Sequence, residues 1–126
     1  FAASEFKEKR IMELSQRQCV PCHGDVPPLK GDVLEVLLQE LQNDWKMINE
    51  HHLQKDYAFP SYQEALRFTN LIANLAESEG HHPELILSFR KVRVSYWTHK
   101  IDGLVESDFI MAAKSDLIHA NEFTAT

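Results

Sequence analysis

Leu34, Leu37, Leu38 and Leu41 recur at i, i+3, i+4 and i+7, the spacing of one apolar stripe along an α-helix. Asp32 followed by Glu35 reads as an N-cap with its capping-box partner. From Trp45 onward the period shortens to two. In Trp45-Lys46-Met47-Ile48-Asn49 and Leu53-Gln54-Lys55-Asp56-Tyr57-Ala58-Phe59, bulky and polar residues alternate. Leu53, Tyr57 and Phe59 share one face, and Lys55 falls on that face too. Glu50-His51-His52 is the predicted hairpin turn. Ser61 and Glu64 open a second helix with Ala65, Leu66, Phe68, Thr69, Ile72, Ala73, Leu75 and Ala76 on a broad apolar face, and Gly80 is its natural stop. A second hairpin is predicted from Leu85–Phe89, a turn at Arg90-Lys91, and Val92–His99. In its last strand Val92, Val94, Tyr96 and Thr98 point one way, and Arg93, Ser95, Trp97 and His99 the other. After a break at Gly103, a final helix is predicted from about Glu106 to Ala120, with Phe109, Ala112, Ala113 and Leu117 inward.

The order α-β-β-α-β-β-α predicts an α+β fold: a four-stranded antiparallel sheet with three helices packed on one face. The opposite face must meet water or another subunit. Residues 19–31, rich in Pro and Gly and holding both cysteines, read as a loop. Ahead of it, residues 1–18 are polar, with Phe6, Ile11, Met12 and Leu14 as the main apolar points of a loose helix or ordered extension. The expected organisation is an amino-terminal extension over 1–31 and a single compact domain over 32–126.

A length of 126 residues suits one domain, and 44% hydrophobic with 25% charged residues is ordinary for a globule. The longest apolar runs, such as Ile110-Met111-Ala112-Ala113, fall far short of the ~20 residues of a membrane helix. A net charge of −6 offers no basic footprint for a phosphate backbone, so no direct nucleic-acid partner is expected. Two cysteines are too few for a disulfide framework, and the first residues lack a signal-peptide apolar core. A cytoplasmic location is the expectation.

Chemistry concentrates in Glu77-Ser78-Glu79-Gly80-His81-His82-Pro83, with Thr98-His99 and Asp108 downstream. His81 and His82 follow the central helix, His99 ends the predicted fourth strand, and Asp108 sits in the first turn of the last helix. These element ends can converge on one rim of the sheet. Imidazoles suit proton transfer because both protonation states are accessible near neutrality. Asp108 could fix one ring's tautomer or interact with a helix N-terminus. The competing readings are a solvated helix end, for which His51-His52 serves as an internal control, and a zinc site, which adjacent histidines serve poorly. Cys19-Val20-Pro21-Cys22-His23 fits the Cys-x-x-Cys-His haem attachment pattern, and zinc, redox and structural-loop readings compete with it.

Gly80-His81-His82-Pro83-Glu84, Lys91-Val92, Thr98-His99, Gly103-Leu104, Asp108 and Ala112 together resemble the signature of the pterin-4a-carbinolamine dehydratases. The likeness covers roughly residues 32–120, and Cys19–Cys22 resembles an amino-terminal stretch of longer members. It implies dehydration of a 4a-hydroxytetrahydropterin (4a-hydroxytetrahydrobiopterin) to a quinonoid dihydropterin in tetrahydropterin recycling, a hydro-lyase reaction needing no metal or cofactor. It implies a four-stranded antiparallel sheet with helices on one face, in dimers or dimers of dimers, working alongside an aromatic amino acid hydroxylase. By the same resemblance His81, His82 and His99 are the catalytic trio, Asp108 and Glu77 support them, and Pro83 and Thr98 join them in the substrate pocket. Leu85-Ile86 replace an aromatic pair of animal members, and Val105 replaces a Ser. These departures bear on the animal proteins' second role as a dimerisation cofactor for a transcription factor, which stands as the alternative function.

Overall fold

The structure is a computed structural model that describes residues 14–19, 27–41 and 44–123. Within these, the elements are α1 (Asp32–Leu41), β1 (Lys46–Ile48), β2 (His52–Ala58), α2 (Tyr62–Glu79), β3 (Glu84–Leu87), β4 (Lys91–Tyr96) and α3 (Glu106–Glu122). A short 3-10 turn at His99–Ile101 separates β4 from α3. The α+β fold class stands as expected. The four strands form one antiparallel sheet in the order β1-β2-β4-β3.

Register follows the apolar alternation. Leu53 faces Tyr96, Tyr57 faces Val92, and Leu85 faces Val94, so one sheet face is apolar. On it lie Leu34, Leu37 and Leu41 of α1, Ala65, Phe68, Ile72 and Ala76 of α2, and a continuous buried run from Phe109 to Ala113 in α3. That run is too apolar all round for a surface helix. It fits because α3 touches α1, α2, β2 and β4 together. Leu66 and Ala73, expected on the apolar face of α2, point outward instead. The four-residue apolar stripe that carries α2 inward is narrower than composition suggests.

Local signals place most boundaries. The Ser61 hydroxyl caps α2 by accepting from the Glu64 amide at 3.2 Å. Before α1 the cap is Gly31 at φ 68°, whose carbonyl accepts from Leu34 and Glu35, so Asp32 is the first helical residue rather than the N-cap. The first hairpin turns through Asn49 and Glu50, both at positive φ, with the His51 amide returning to the Ile48 carbonyl at 2.8 Å. His52 therefore belongs to β2, not to the turn. Likewise β4 ends at Tyr96, three residues before the sequence-based end at His99. Thr98 leaves the ladder to bridge Gly103. Leu14 is fully buried, and Lys114 Nζ donates to the Ser15 carbonyl, so this short segment packs on α3. Residues 1–13, including Phe6, Ile11 and Met12, and residues 20–26, including Cys22 and His23, lie outside the described residues.

Candidate active site

The central helix delivers His81 through its carboxyl end. Gly80 adopts the left-handed region at φ 66°, its amide donates to the Glu77 carbonyl, and the His81 amide donates to the Ala76 carbonyl at 3.1 Å. This paired closure reverses the chain at a fixed point. The imidazole is turned inward, where it lies near Tyr96.

Asp108 meets it from α3. His81 Nε2 lies 2.6 Å from Asp108 Oδ1, with the carboxylate fully buried and the His81 side chain 11% exposed. The other oxygen, Oδ2, accepts from the Thr98 hydroxyl and from the Val105 amide, each at 2.9 Å. Val105 is the N-cap residue of α3 and has no hydroxyl to offer, so the Asp108 carboxylate takes the orphan amide at that helix start. One carboxylate thus touches both the His81 ring and the start of α3. A carboxylate only accepts, so Nε2 of His81 carries the shared hydrogen and Nδ1 is the ring's other nitrogen.

His82 stands apart from this pair. Its Nε2 lies 2.8 Å from Glu77 Oε1, and the pair is exposed, at 62% and 81% of the side chains. Pro83 follows and leads the chain into β3. His99 opens the 3-10 turn and is exposed, and among the described residues its ring partner is Trp97, with centroids 4.4 Å apart and planes 35° apart. The structure therefore brings His81, Thr98 and Asp108 into one hydrogen-bonded group. His82 with Glu77 and His99 with Trp97 are not bonded to it.

A ring cluster around Trp97 carries no motif in the sequence. Trp97 also meets His51 at 5.5 Å and His52 at 5.7 Å between ring centroids. His51 Nε2 lies 2.7 Å from Asp102 Oδ1, and its Nδ1 lies 3.0 Å from His52 Nδ1. Burial and the neighbouring His51 hold His52 below the usual imidazole range. The His51-His52 dipeptide, expected to be a plain solvated turn, is a packed part of the loop cluster that carries His99. Strand alternation carried the signal, since His52 and Trp97 fall on the same sheet face.

Cys19 is half-buried, its Sγ 3.9 Å from the Ser107 carbonyl. Burial, with Glu79 adding to it, pushes the thiol up to about 11, so it is protonated at neutral pH. Among the described residues, no three His, Cys, Asp or Glu side chains are grouped to hold a metal ion. No helix among them is long and apolar enough to cross a membrane.

The family model for pterin 4 alpha carbinolamine dehydratase matches residues 27–118. A protein of Alkaliphilus metalliredigens named "Putative pterin-4-alpha-carbinolamine dehydratase" is 48% identical over 103 residues, covering 82% of this chain and 93% of its own. One of the same name from Rickettsia bellii is 52% identical over 105 residues, covering 83% and 93%. Among solved structures, a transcriptional coactivator/pterin dehydratase from Brucella melitensis superposes with a TM-score of 0.67 at 27% identity, covering 72% of this chain and 97% of that one. A pterin dehydratase-like RuBisCO assembly factor of the alpha-carboxysome shares the fold, with a TM-score of 0.53 at 24% identity over 62% of this chain and 92% of that one. The match spans α1 to α3 and takes in every residue of the His81–Thr98–Asp108 group, and the chain belongs to the pterin 4 alpha carbinolamine dehydratase family.

Proposed function

We propose that this protein is a hydro-lyase that dehydrates a 4a-hydroxytetrahydropterin to the quinonoid dihydropterin. The observation that carries this reading is the 2.6 Å contact between His81 Nε2 and the buried Asp108, itself fixed by Thr98 and Val105. The reaction expels hydroxide from C4a and removes the proton on N5. It needs a base for the nitrogen and an acid for the departing oxygen, each contributing roughly 10²–10⁴-fold. His81 is assigned the base. With Nε2–H held by Asp108, its Nδ1 takes the proton while the carboxylate behind stabilises the imidazolium that forms. His82 and His99 supply the acid and substrate contacts, Glu77 orients His82, and Pro83 and Thr98 line the pocket. The chemistry requires no metal or cofactor, because both proton transfers are within the reach of imidazoles.

A spectroscopic assay of enzymatically generated 4a-hydroxytetrahydropterin, with and without the protein, tests this directly. The expected result is faster loss of the carbinolamine with wild type and little with His81→Ala or His99→Ala. Equal rates with and without wild-type protein would sink the reading. A homodimer or homotetramer in the cytoplasm, coupled to an aromatic amino acid hydroxylase that generates the carbinolamine, is the setting proposed with it.

A second reading is a protein-binding scaffold. It is favoured by the likeness to the Brucella coactivator and by the exposed Tyr62 and Leu66 on the outer face of α2. Cellular function that survives His81→Ala but not Leu66→Asp would support the scaffold over the enzyme.

A further inference from the structure

His99 sits on a well-held backbone, and its side chain is exposed. Its neighbour Thr98 donates its amide to the Gly103 carbonyl at 2.8 Å and its hydroxyl to Asp108 at 2.9 Å, and the Asp102 amide returns to the His99 carbonyl at 3.3 Å. These bonds fix where the residue is. They do not fix where its ring points, because an exposed imidazole has several staggered rotamers to choose from. The neighbour that acts on the ring is Trp97, at 4.4 Å and 35°.

Trp97 is anchored in turn. It is half-buried against the core edge, and His51 and His52 pack on it from the first hairpin. The hairpin is tied to the His99 turn by His51 Nε2 on Asp102 Oδ1 at 2.7 Å. The indole is thus held between the hairpin and the 3-10 turn, in contact with one ring of the proposed acid–base set.

We infer that Trp97 is a positioning residue for His99, its indole face selecting one orientation of the imidazole at the rim of the site. The inference rests on the dehydratase reading above. A ring free to rotate spends only part of its time aimed at the substrate, and proton transfer needs that aim. Removing a stacking partner loosens such a ring enough to lower turnover by about three- to tenfold. A planar aromatic replacement keeps most of the effect. Among the described residues, the hydrogen bonds of the His81–Asp108 group run to Thr98 and Val105 and its ring neighbour is Tyr96, so substitution of Trp97 should leave binding through that group largely unchanged.

The experiment compares wild type, Trp97→Phe and Trp97→Ala in the carbinolamine assay, with the imidazole Cε1–H resonance of His99 followed by NMR in the same samples. The expected result for Trp97→Ala is a kcat lower by about three- to tenfold with KM within about twofold. The His99 resonance should move downfield as the ring-current shift of the indole is lost. Trp97→Phe should restore kcat to within about twofold and much of the shift. An active wild type whose kcat is unchanged in Trp97→Ala would overturn the inference and leave the dehydratase reading standing. So would a lowered kcat that Phe does not rescue. An inactive wild type would overturn the reading itself, and the inference with it.

Discussion

Lys55 Nζ and Asp116 Oδ1, sixty-one residues apart in the chain, lie 2.8 Å apart in the layer between β2 and α3. Asp116 accepts from two further donors there, Tyr57 Oη at 2.5 Å and Trp45 Nε1 at 2.9 Å. The lysine that broke the apolar face of β2 is therefore not an error in the pattern. Its ammonium also lies 4.7 Å from the Tyr57 ring centroid. Burial first, and then the Asp116 charge, hold the Tyr57 hydroxyl far above its usual range, so it remains a donor.

Asp116→Ala should lower the unfolding free energy by about 3–4 kcal/mol, because it strands a cation and two buried donors at once. Lys55→Met should cost less, since Asp116 keeps Tyr57 and Trp45. Urea unfolding of the two variants against wild type measures both. A loss under about 1 kcal/mol for Asp116→Ala would mean that the hub does not hold β2 to α3.

Asp108→Asn separates chemistry from fold. An amide oxygen still accepts from Val105 and Thr98, so the unfolding midpoint should change little. The amide presents no negative charge to His81, so the ring loses the partner that fixes its tautomer. Turnover of the carbinolamine should fall by roughly 10²–10⁴-fold. Asp108→Ala should show the same loss together with about 1–2 kcal/mol of destabilisation from the uncapped α3. Steady-state kinetics alongside thermal melts distinguish the two effects.

The three helices and four strands were legible because burial imposes periods of 3.6 and 2, and the sequence keeps them, whereas the strand order β1-β2-β4-β3 carries no such periodic signal. Lys55 was visible as an anomaly. Its partner was not, because no periodicity links β2 to a residue in a helix so distant along the chain. The Gly80 stop and the Asp108 position were also readable, and together they bring His81 to Asp108. His99 was misplaced by extrapolation. Alternation from Val92 continues through Thr98, but the β4 ladder ends at Tyr96 when Thr98 pairs with Gly103 instead. The two His-His dipeptides look alike in sequence and differ in setting. One follows a left-handed helix stop that turns His81 inward, and the other closes a hairpin against an indole. The family resemblance supplied chemical roles, but nothing in it concerned the Trp97 cluster.

Gly103 tests how the loop bearing His99 is supported. A Cβ built there would lie 2.7 Å from the Cβ of Pro28, while the adjacent Leu104 carbonyl accepts from the Leu29 amide at 2.8 Å. Gly103→Ala must push the 27–30 segment off the loop, at a cost of about 1–3 kcal/mol. Gly80→Ala is the contrast. Its Cβ meets nothing within 4 Å, so it pays only the left-handed backbone strain, about 1 kcal/mol. Denaturant midpoints should rank Gly103→Ala as the less stable of the two. The reverse order would show that the 27–30 contact is easily displaced.

His119 gives the stability of the fold a defined pH dependence. Its ring stands 5.0 Å from Tyr57 and 5.8 Å from Phe68, and lies nearly parallel to Phe123. Burial lowers its affinity for a proton from the usual 6.5, Lys55 lowers it further, and Asp116 opposes them in part. In the window below 6.5 the unfolded chain therefore binds more protons at this site than the folded one, so the contribution of His119 to stability falls as pH drops through that window and is constant above it. His52, shifted the same way by burial and His51, adds to the same slope. Melting temperatures of wild type and His119→Gln, recorded from about pH 7.5 down to about pH 5, measure the contribution. The variant melts lower throughout, having lost its ring packing, but its melting temperature should decline less steeply across the window. Parallel curves would mean that His119 takes up its proton in the folded protein as easily as in the unfolded chain.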